Sequence, residues 1–500
     1  MRTNSPDSAT PTPSFFRNWI SLAGGIIAGG SLFAFVLLVA MTLFSPDGNP
    51  YVGILTYVVA PAFLIAGLVL VFGGWWWQRR QALRHPGLAR TAQSLSIDLS
   101  RPRDRKVLLT FGTGSIVFLM LTAFGSYQTY HFTESVEFCG KTCHTVMEPE
   151  FSTYQRSAHA RVACAECHIG GGASFYVKSK ISGAYQIYSV TFKKYQTPIP
   201  TPIENLRPAQ DTCEKCHWPQ KFTGNIDRSY EHFLSNKANT AHTVRLLLHV
   251  GGGKAAQGHF TGVHWHMNTD TKVEYFAEDP KRQVIPWVRV TNADGTQQVY
   301  RNPEYKGEPP AHEIRRMDCI DCHNHPAHIP LPANTAIEEQ MAAGKINLAT
   351  LPSFKKVAVQ AISKEYPDKA TALKSIADAL TAKYGKAEGL EAAIAAAQTV
   401  YEQNFFPLMK ADWRAYPNNI GHKDWPGCFR CHDNKHVSEV GGKKAFIKAS
   451  DCNTCHTIIA QGKGAELDKL APKGLEFKHP DGELDPELLC SDCHNGGLQK

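Results

Sequence analysis

Three long apolar runs stand near the start of the chain, at about 19–44, 51–77 and 107–127, and none contains a charged residue. Each reaches the roughly 20 residues that carry a helix across a bilayer, so the pattern predicts three membrane-spanning helices. The first run is longer than a signal-peptide core and lacks a cleavage-site pattern, so it reads as a retained anchor. Beyond residue 128 such runs disappear. Leu373, Ile376, Ala377, Leu380 and Tyr384 recur at helical spacing with Gly385 as a stop, and Ile394, Ala397, Tyr401 and Phe405 repeat the pattern. That predicts two or three amphipathic helices within 333–411. From Gln283 to Tyr300 apolar and polar residues alternate around Asn292-Ala293-Asp294-Gly295, which predicts a small β-hairpin turning at Asp-Gly. The remainder should be mainly α and irregular.

Charge gives the runs a sidedness. The segment 78–106 holds Arg79, Arg80, Arg84, Arg90, Arg101, Arg103, Arg105 and Lys106 against only Asp98 and Asp104, whereas 45–50 has only Asp47. Positive loops stay in the cytoplasm, so the N-terminus is expected inside and everything past 128 outside. Trp19 and Trp75–Trp77 would then lie at the inner interface, and Tyr51, Tyr127 and Tyr130 near the outer one. This loop accounts for most of the net charge of +8. No basic stripe interleaved with aromatics appears, so nucleic acid is excluded as a partner.

The cysteines supply the chemistry. All 14 fall in pairs followed at once by histidine. Six pairs read Cys-x-x-Cys-His: Cys164/Cys167/His168, Cys213/Cys216/His217, Cys319/Cys322/His323, Cys428/Cys431/His432, Cys452/Cys455/His456 and Cys490/Cys493/His494. The first in the chain, Cys139/Cys143/His144, has one extra residue between its cysteines. Two thiols at this spacing add across the vinyl groups of a haem, and the next residue places an imidazole on the iron. Zinc ribbons and disulfide frameworks use paired cysteines but do not require histidine after the second. Seven c-type haems are therefore expected, and no cysteine is left for disulfides or nucleophilic catalysis. Haem attachment takes place outside the cytoplasm, on the side that the loop charges assign to these motifs.

The motifs divide the chain. Residues 1–128 form the membrane domain, 129–332 hold four motifs, 333–411 hold none and form a helical spacer, and 412–500 hold three. Each motif histidine fills one axial position. Candidates for the opposite position are His159, which precedes the second motif, and His264 and His266, expected to share one face of a strand. The others are His328 in CIDCHNHPAH, His422 before the fifth motif, His436 after it, and His479 before the seventh. Paired imidazoles close the iron and suit it to electron transfer, whereas an open position would suit catalysis.

Phe138-Cys139 to His144 with Met147 behind it, Ser157-Ala158-His159 before CAECH, and CIDCHNHPAHIPLP at 319–332 resemble the NapC/NirT/NrfH family of membrane-bound quinol dehydrogenases. The three runs, the three extra motifs, and CEKCHWPQKF, HWHMN and GCFRCHDNKH resemble the seven-haem inner-membrane cytochromes of metal-reducing bacteria, the ImcH type. The resemblance implies that quinol is oxidised at the outer membrane edge and that electrons pass along the haems to periplasmic cytochromes. It also implies Met147 as a ligand of the first haem and a lysine beside the quinol. Lys180 matches that lysine, Lys178 is the alternate, and Gln186 stands nearest the place of the usual acidic partner. The expected location is the bacterial inner membrane, multi-pass, and the sequence is compatible with an oligomer. A terminal oxyanion reductase of the nitrite type, or a passive electron conduit without a quinone site, are the alternatives. A lipid-headgroup contact is the plain reading of Lys178 and Lys180.

Overall fold

The computed structural model describes residues 18–44, 59–84, 99–170, 172–203, 206–251, 262–440, 442–448, 452–482 and 488–497. The chain divides into two compact units, residues 1–134 with 171–178 and residues 135–170 with 179–500.

The first unit contains long helices at Trp19–Phe44, Ala60–Arg84 and Pro102–Glu134. Among the described residues, two segments are long and apolar enough to cross a membrane, Trp19–Leu38 and Ala60–Gln81. That is one fewer than expected. The third run lies inside Pro102–Glu134, many of whose central side chains fall outside the described residues. The second helix also starts later than the apolar run, at Ala60, and continues through Arg79 and Arg80 to Arg84; residues 51–58 lie outside the described ones. The first two helices meet along a seam of small residues. A Cβ on Gly24 would stand 2.6 Å from the Gly67 carbonyl oxygen, and one on Gly67 would stand 2.6 Å from the Ala28 nitrogen. The Ser21 hydroxyl donates to the Val71 carbonyl at 3.0 Å, and the Asn18 amide to Gln78 at 3.1 Å. Close backbone approach and interhelical polar contacts are what pair helices where lipid removes the hydrophobic drive. Leu32, Phe33, Val36, Ile65, Val69 and Phe72 stay exposed, as a lipid-facing surface requires. Arg80 lies over the Trp76 ring at 3.8 Å, a cation–π contact at the charged end of the second helix.

The second unit takes its largest apolar core from the spacer. Helices at Ala333–Ala342, Phe354–Ile362, Lys369–Tyr384 and Leu390–Asn404 bury Ile337, Phe354, Ile362, Ile376 and Leu380 completely. Asp368 caps the third of these by accepting from the Thr371 amide at 2.8 Å, and Gly385 ends it at φ +61.

Two antiparallel sheets surround this bundle. One orders β1 (Asn225–Phe233), β2 (Ala241–His249) and β9 (His456–Gly462). The other runs β6-β3-β4-β5-β7-β8, with β3 Lys272–Phe276, β4 Trp287–Thr291, β5 Gln297–Arg301, β6 Arg315–Arg316, β7 Val437–Val440 and β8 Lys443–Phe446. The expected hairpin is β4–β5, with Thr291 opposite Gln297 and the Gly295 amide donating to the Asn292 carbonyl at 2.9 Å. The further strands were not expected. β1 is exposed along most of its length and β7 and β8 are four residues each, so neither shows the alternation that marks a half-buried strand. Because β9 pairs with β2 and β7 with β5, segments 129–332 and 412–500 share both sheets.

A buried ion pair ties the spacer to the first sheet. Glu338, 4% exposed, accepts from the Lys355 ammonium at 2.7 Å and the Phe233 amide at 3.0 Å, and meets His232 Nδ1 at 3.1 Å. Burial opposes its charge, but the His232 hydrogen bond and the Lys355 charge overcome this and hold the carboxyl down to about 2. A depressed carboxyl stabilises the fold above its unfolded pKa and loses that contribution as pH falls through the folded one. Between about pH 4.5 and 2 the unit should therefore lose on the order of 3 kcal/mol from this site. Unfolding by circular dichroism should show this acid step in the native chain and a much smaller one in Glu338→Gln.

Candidate functional site: six imidazole pairs and seven cysteine motifs

Each Cys-x-x-Cys-His segment is short enough to close in one turn. The His217, His323 and His494 amides each donate to the carbonyl of their first motif cysteine at 2.8 Å, and His432 does so at 3.1 Å. Cys164–His168 is itself a single helical turn. One turn brings two thiols and an imidazole to the same side of the backbone, the arrangement a covalently held haem needs. The first motif absorbs its extra residue differently. Phe138–Thr142 forms a π-helical turn, the wider turn that accommodates one added residue.

All 14 cysteines stand outside disulfides. Their surroundings differ. Burial pushes the Cys322 and Cys431 thiols up to about 12. Cys143, Cys216, Cys455 and Cys493, assigned by spacing to haem attachment, are not enclosed by protein in that way. Cys216 and Cys493 are exposed, and Cys143 and Cys455 are half-buried. The cause is local, because each follows an exposed residue, Thr142, Lys215, Thr454 and Asp492 respectively, so its turn lies at the surface. The assignment of Cys143, Cys216, Cys455 and Cys493 to haem therefore rests on the motif spacing and not on a protein pocket around the sulfur.

The motif histidines have partners. Ring centroids lie 6.2 Å apart for His168 and His328, 6.0 Å for His217 and His159, and 6.2 Å for His323 and His264. They lie 5.9 Å apart for His432 and His266, 6.3 Å for His456 and His422, and 6.0 Å for His494 and His479. A metal–imidazole bond of about 2 Å on each side, plus about 1.1 Å from nitrogen to ring centre, spaces two trans imidazoles roughly 6 Å apart. Six pairs thus fit an iron between them. Burial lowers the pKa of His168, His264, His323, His328, His422, His432, His456 and His494, and pushes His266 down to about 4. The neutral imidazole so favoured is the form that binds metal.

The pairs cross between segments. His159, just before the second motif, faces the third, and His328, just after the fourth, faces the second. His264 and His266 do not share a face of a strand. They lie on a 3₁₀ turn, Val263–Met267, where residues two apart diverge, so one faces the fourth motif and the other the fifth. His422, before the fifth motif, faces the sixth. Thiols of successive motifs are also neighbours: Cys139 hydrogen-bonds Cys164, drawing its thiol down to about 7, and Cys319 bonds Cys213.

His436 stands apart from these pairs. It is 1% exposed, with Nδ1 on the Asp433 carboxylate at 2.9 Å and Nε2 on the Ile285 carbonyl at 2.7 Å, so neither nitrogen is left for a metal. Met147 lies three residues past His144 on the helix His144–Tyr154; the His144 side chain is outside the described ones. Lys178, Lys180 and Gln186 share the helix Ala173–Thr191. At about 100° per residue, Lys180 and Gln186 stand about 120° apart, so no single face carries both. Ile181, Tyr185, Tyr188 and Phe192 form an exposed apolar stripe on the same segment.

Two features went unread in the sequence. Glu150, beside His328, is pushed up to about 7 by burial, and no local pattern marks it. Asp321, an interior residue of the fourth motif, is 2% exposed and gathers the Tyr275 hydroxyl at 2.7 Å and the Arg282 and Arg315 guanidinium groups at 2.9 Å. Its carbonyl accepts from Arg430, an interior residue of the fifth motif, at 2.9 Å. Burial works against the Arg315 charge, but Asp321 and Asp318 outweigh it and hold the guanidinium charged. The variable residues within two motifs thus lock those motifs together. Asp321→Ala strands two part-buried cations and should cost about 3–5 kcal/mol in guanidinium unfolding, with attached mass unchanged.

Residues 101–201 match the model of the NapC/NirT cytochrome c family, N-terminal region. The chain is similar to the cytochrome c-type protein ImcH of Geobacter sulfurreducens, 41% identical over 503 aligned positions that cover 97% of this chain and 96% of that protein. It is also similar to the cytochrome c-type protein NrfH of Wolinella succinogenes, 31% identical over 94 residues, 18% of this chain and 52% of that protein. No solved structure matches it.

Proposed function

Because the chain belongs to the NapC/NirT family of cytochromes c, with its full-length likeness to an ImcH protein, we propose that it oxidises membrane quinol and conducts the electrons along seven haems. Membrane-bound multihaem electron transfer is the family's general activity; quinol as donor and the count of seven are our reading. The observation that carries it is the set of six imidazole pairs with cysteine pairs beside them. Haem c supplies one-electron chemistry when bound. The chain's residues would hold it by the 14 thiols, including the surface-facing Cys143, Cys216, Cys455 and Cys493. They would fix its irons with His168/His328, His217/His159, His323/His264, His432/His266, His456/His422 and His494/His479, and exclude other iron ligands by filling both axial positions. Six closed irons favour electron transfer over oxyanion reduction.

The first motif differs in its wide turn and in having Met147, so it is the position at which we place quinol oxidation. Lys180 is our candidate for stabilising the developing quinol anion. The exposed Ile181, Tyr185, Tyr188 and Phe192 beside it suit a lipid-facing surface through which an apolar quinol arrives. Gln186 lies on another face and, lacking a proton to exchange, is at most a hydrogen-bonding partner. Periplasmic cytochromes would take the electrons. We further propose that Pro102–Glu134 also crosses the inner membrane, that the N-terminus is cytoplasmic, and that the motifs are periplasmic, on the strength of the loop charges.

Intact-mass measurement of the denatured chain should show seven haem additions; six would remove the first motif from the path. Lys180→Ala should slow oxidation of a quinol analogue at least tenfold while leaving all haems reducible by dithionite, and Lys180→Arg should lose less. Reduction of nitrite by the purified chain at enzymatic rates would favour the reductase reading instead. An unchanged quinol rate in Lys180→Ala would move the site to Lys178 or to a partner.

A further inference from the structure

The six imidazole pairs differ in what holds the ring nitrogen that faces away from the iron. Distal ligands of the second to fifth motifs all have a carbonyl acceptor. His328 Nδ1 donates to the Glu150 carbonyl at 3.0 Å, His159 to Pro326 at 3.0 Å, His264 to Val250 at 3.1 Å and His266 to Val263 at 3.1 Å. The fifth motif has a second such bond, from His432 to the Lys448 carbonyl at 3.2 Å. The pair His422/His456 has none. Both Nδ1 atoms are buried and find no hydrogen-bond partner on another residue among the described ones. The flat face of His422 is covered by Phe429, ring centroids 4.3 Å apart and 12° from parallel, which keeps water from it.

An imidazole that donates its second N–H to a carbonyl becomes more basic and gives more electron density to its metal, which favours the oxidised ion. A buried imidazole without an acceptor gives less and favours the reduced ion. The charges around the pair act in the same direction, since the groups that bear on His456 are the imidazoles of His422 and His249 and no carboxylate. At the fifth motif, by contrast, Asp433 bears on His432. The seventh motif is intermediate. His479 Nδ1 accepts from the Asp481 amide at 3.2 Å, so it too lacks a carbonyl acceptor, but both residues stand near solvent.

We propose that these hydrogen bonds grade the chain of haems, and that the haem on Cys452/Cys455 between His422 and His456 has the highest potential of the six histidine-paired haems. Electrons entering at the N-terminal motifs would then collect in the C-terminal segment. Phe429 lies between Cys428 and Cys431 and stacks on His422, so the fifth motif abuts the collecting site directly. The ordering rests on the ligand pairing proposed above but not on quinol as the donor.

The test is a potentiometric titration of the full-length protein in detergent, followed by optical and electron paramagnetic resonance spectra at each potential. His422→Met keeps the haem covalently attached and changes one ligand. The variant should lose the highest-potential bis-histidine component and gain one above it carrying a methionine–sulfur charge-transfer band. Loss of a middle or lowest component overturns the ordering. Retention of all six bis-histidine signals overturns the pairing itself. Cys452→Ala/Cys455→Ala, lighter by one haem, should lack the same highest component. Should His422→Met fold poorly, that double variant decides the question alone.

Discussion

The constraint on which this structure depends is that two imidazoles from distant parts of the chain must face each other about 6 Å apart across a metal. The distance is set by bond lengths, so it leaves little room for adjustment. It is met six times, and in every case the two rings belong to different motifs' surroundings. His328 reaches back from the fourth motif to the second, and His266 reaches forward to the fifth. Such crossing makes the second unit one body even though its apolar core sits mostly in the spacer helices. An isolated motif could hold a haem by its thiols, but it could not close the iron.

The protein groups that might otherwise compete for that role are occupied by each other. His436 is bound at both nitrogens, Glu338 is neutralised by Lys355 and His232, and Asp321 is shared among three donors. Each is buried, and each would be costly if left unpaired. The Asp321 and Arg430 contact shows how the interior of a motif is used: the two residues between the cysteines do not touch the iron, so they are available to brace one motif against the next.

The chemistry was far more legible in the sequence than the architecture. Cys-x-x-Cys-His declares its ligands because covalent attachment fixes the spacing locally. Spacing says nothing of enclosure, so it could not separate the surface-facing Cys216 and Cys493 from the enclosed Cys322 and Cys431. Distal ligands are not fixed by spacing either, so the sequence offered candidates without partners. His264 and His266 looked like a strand pair because a two-residue interval suits a strand; the chain instead turns tightly there, and the same interval separates the rings toward different motifs. His436 looked equivalent to His422, and only its contacts with Asp433 and Ile285 distinguish them. Asp294-Gly295 gave the β4–β5 turn because positive φ there favours glycine. β1, β2, β7, β8 and β9 gave no comparable signal, since their pairing partners are remote and their outer faces exposed.

The crossing of ligands also bears on how charge would move. Thiols of the first and second motifs touch, as do those of the third and fourth, and the fourth and fifth take their distal ligands from adjacent positions on one turn. His422, which faces the sixth motif, stacks on a residue inside the fifth. Neighbouring attachment points mean neighbouring prosthetic groups, and electron transfer weakens steeply with distance. A path that follows these contacts therefore runs in the order of the motifs from first to sixth, although the ligands themselves do not follow chain order. Ligands borrowed across segments give rigidity, whereas adjacent thiols and stacked rings give continuity, and the same few residues supply both.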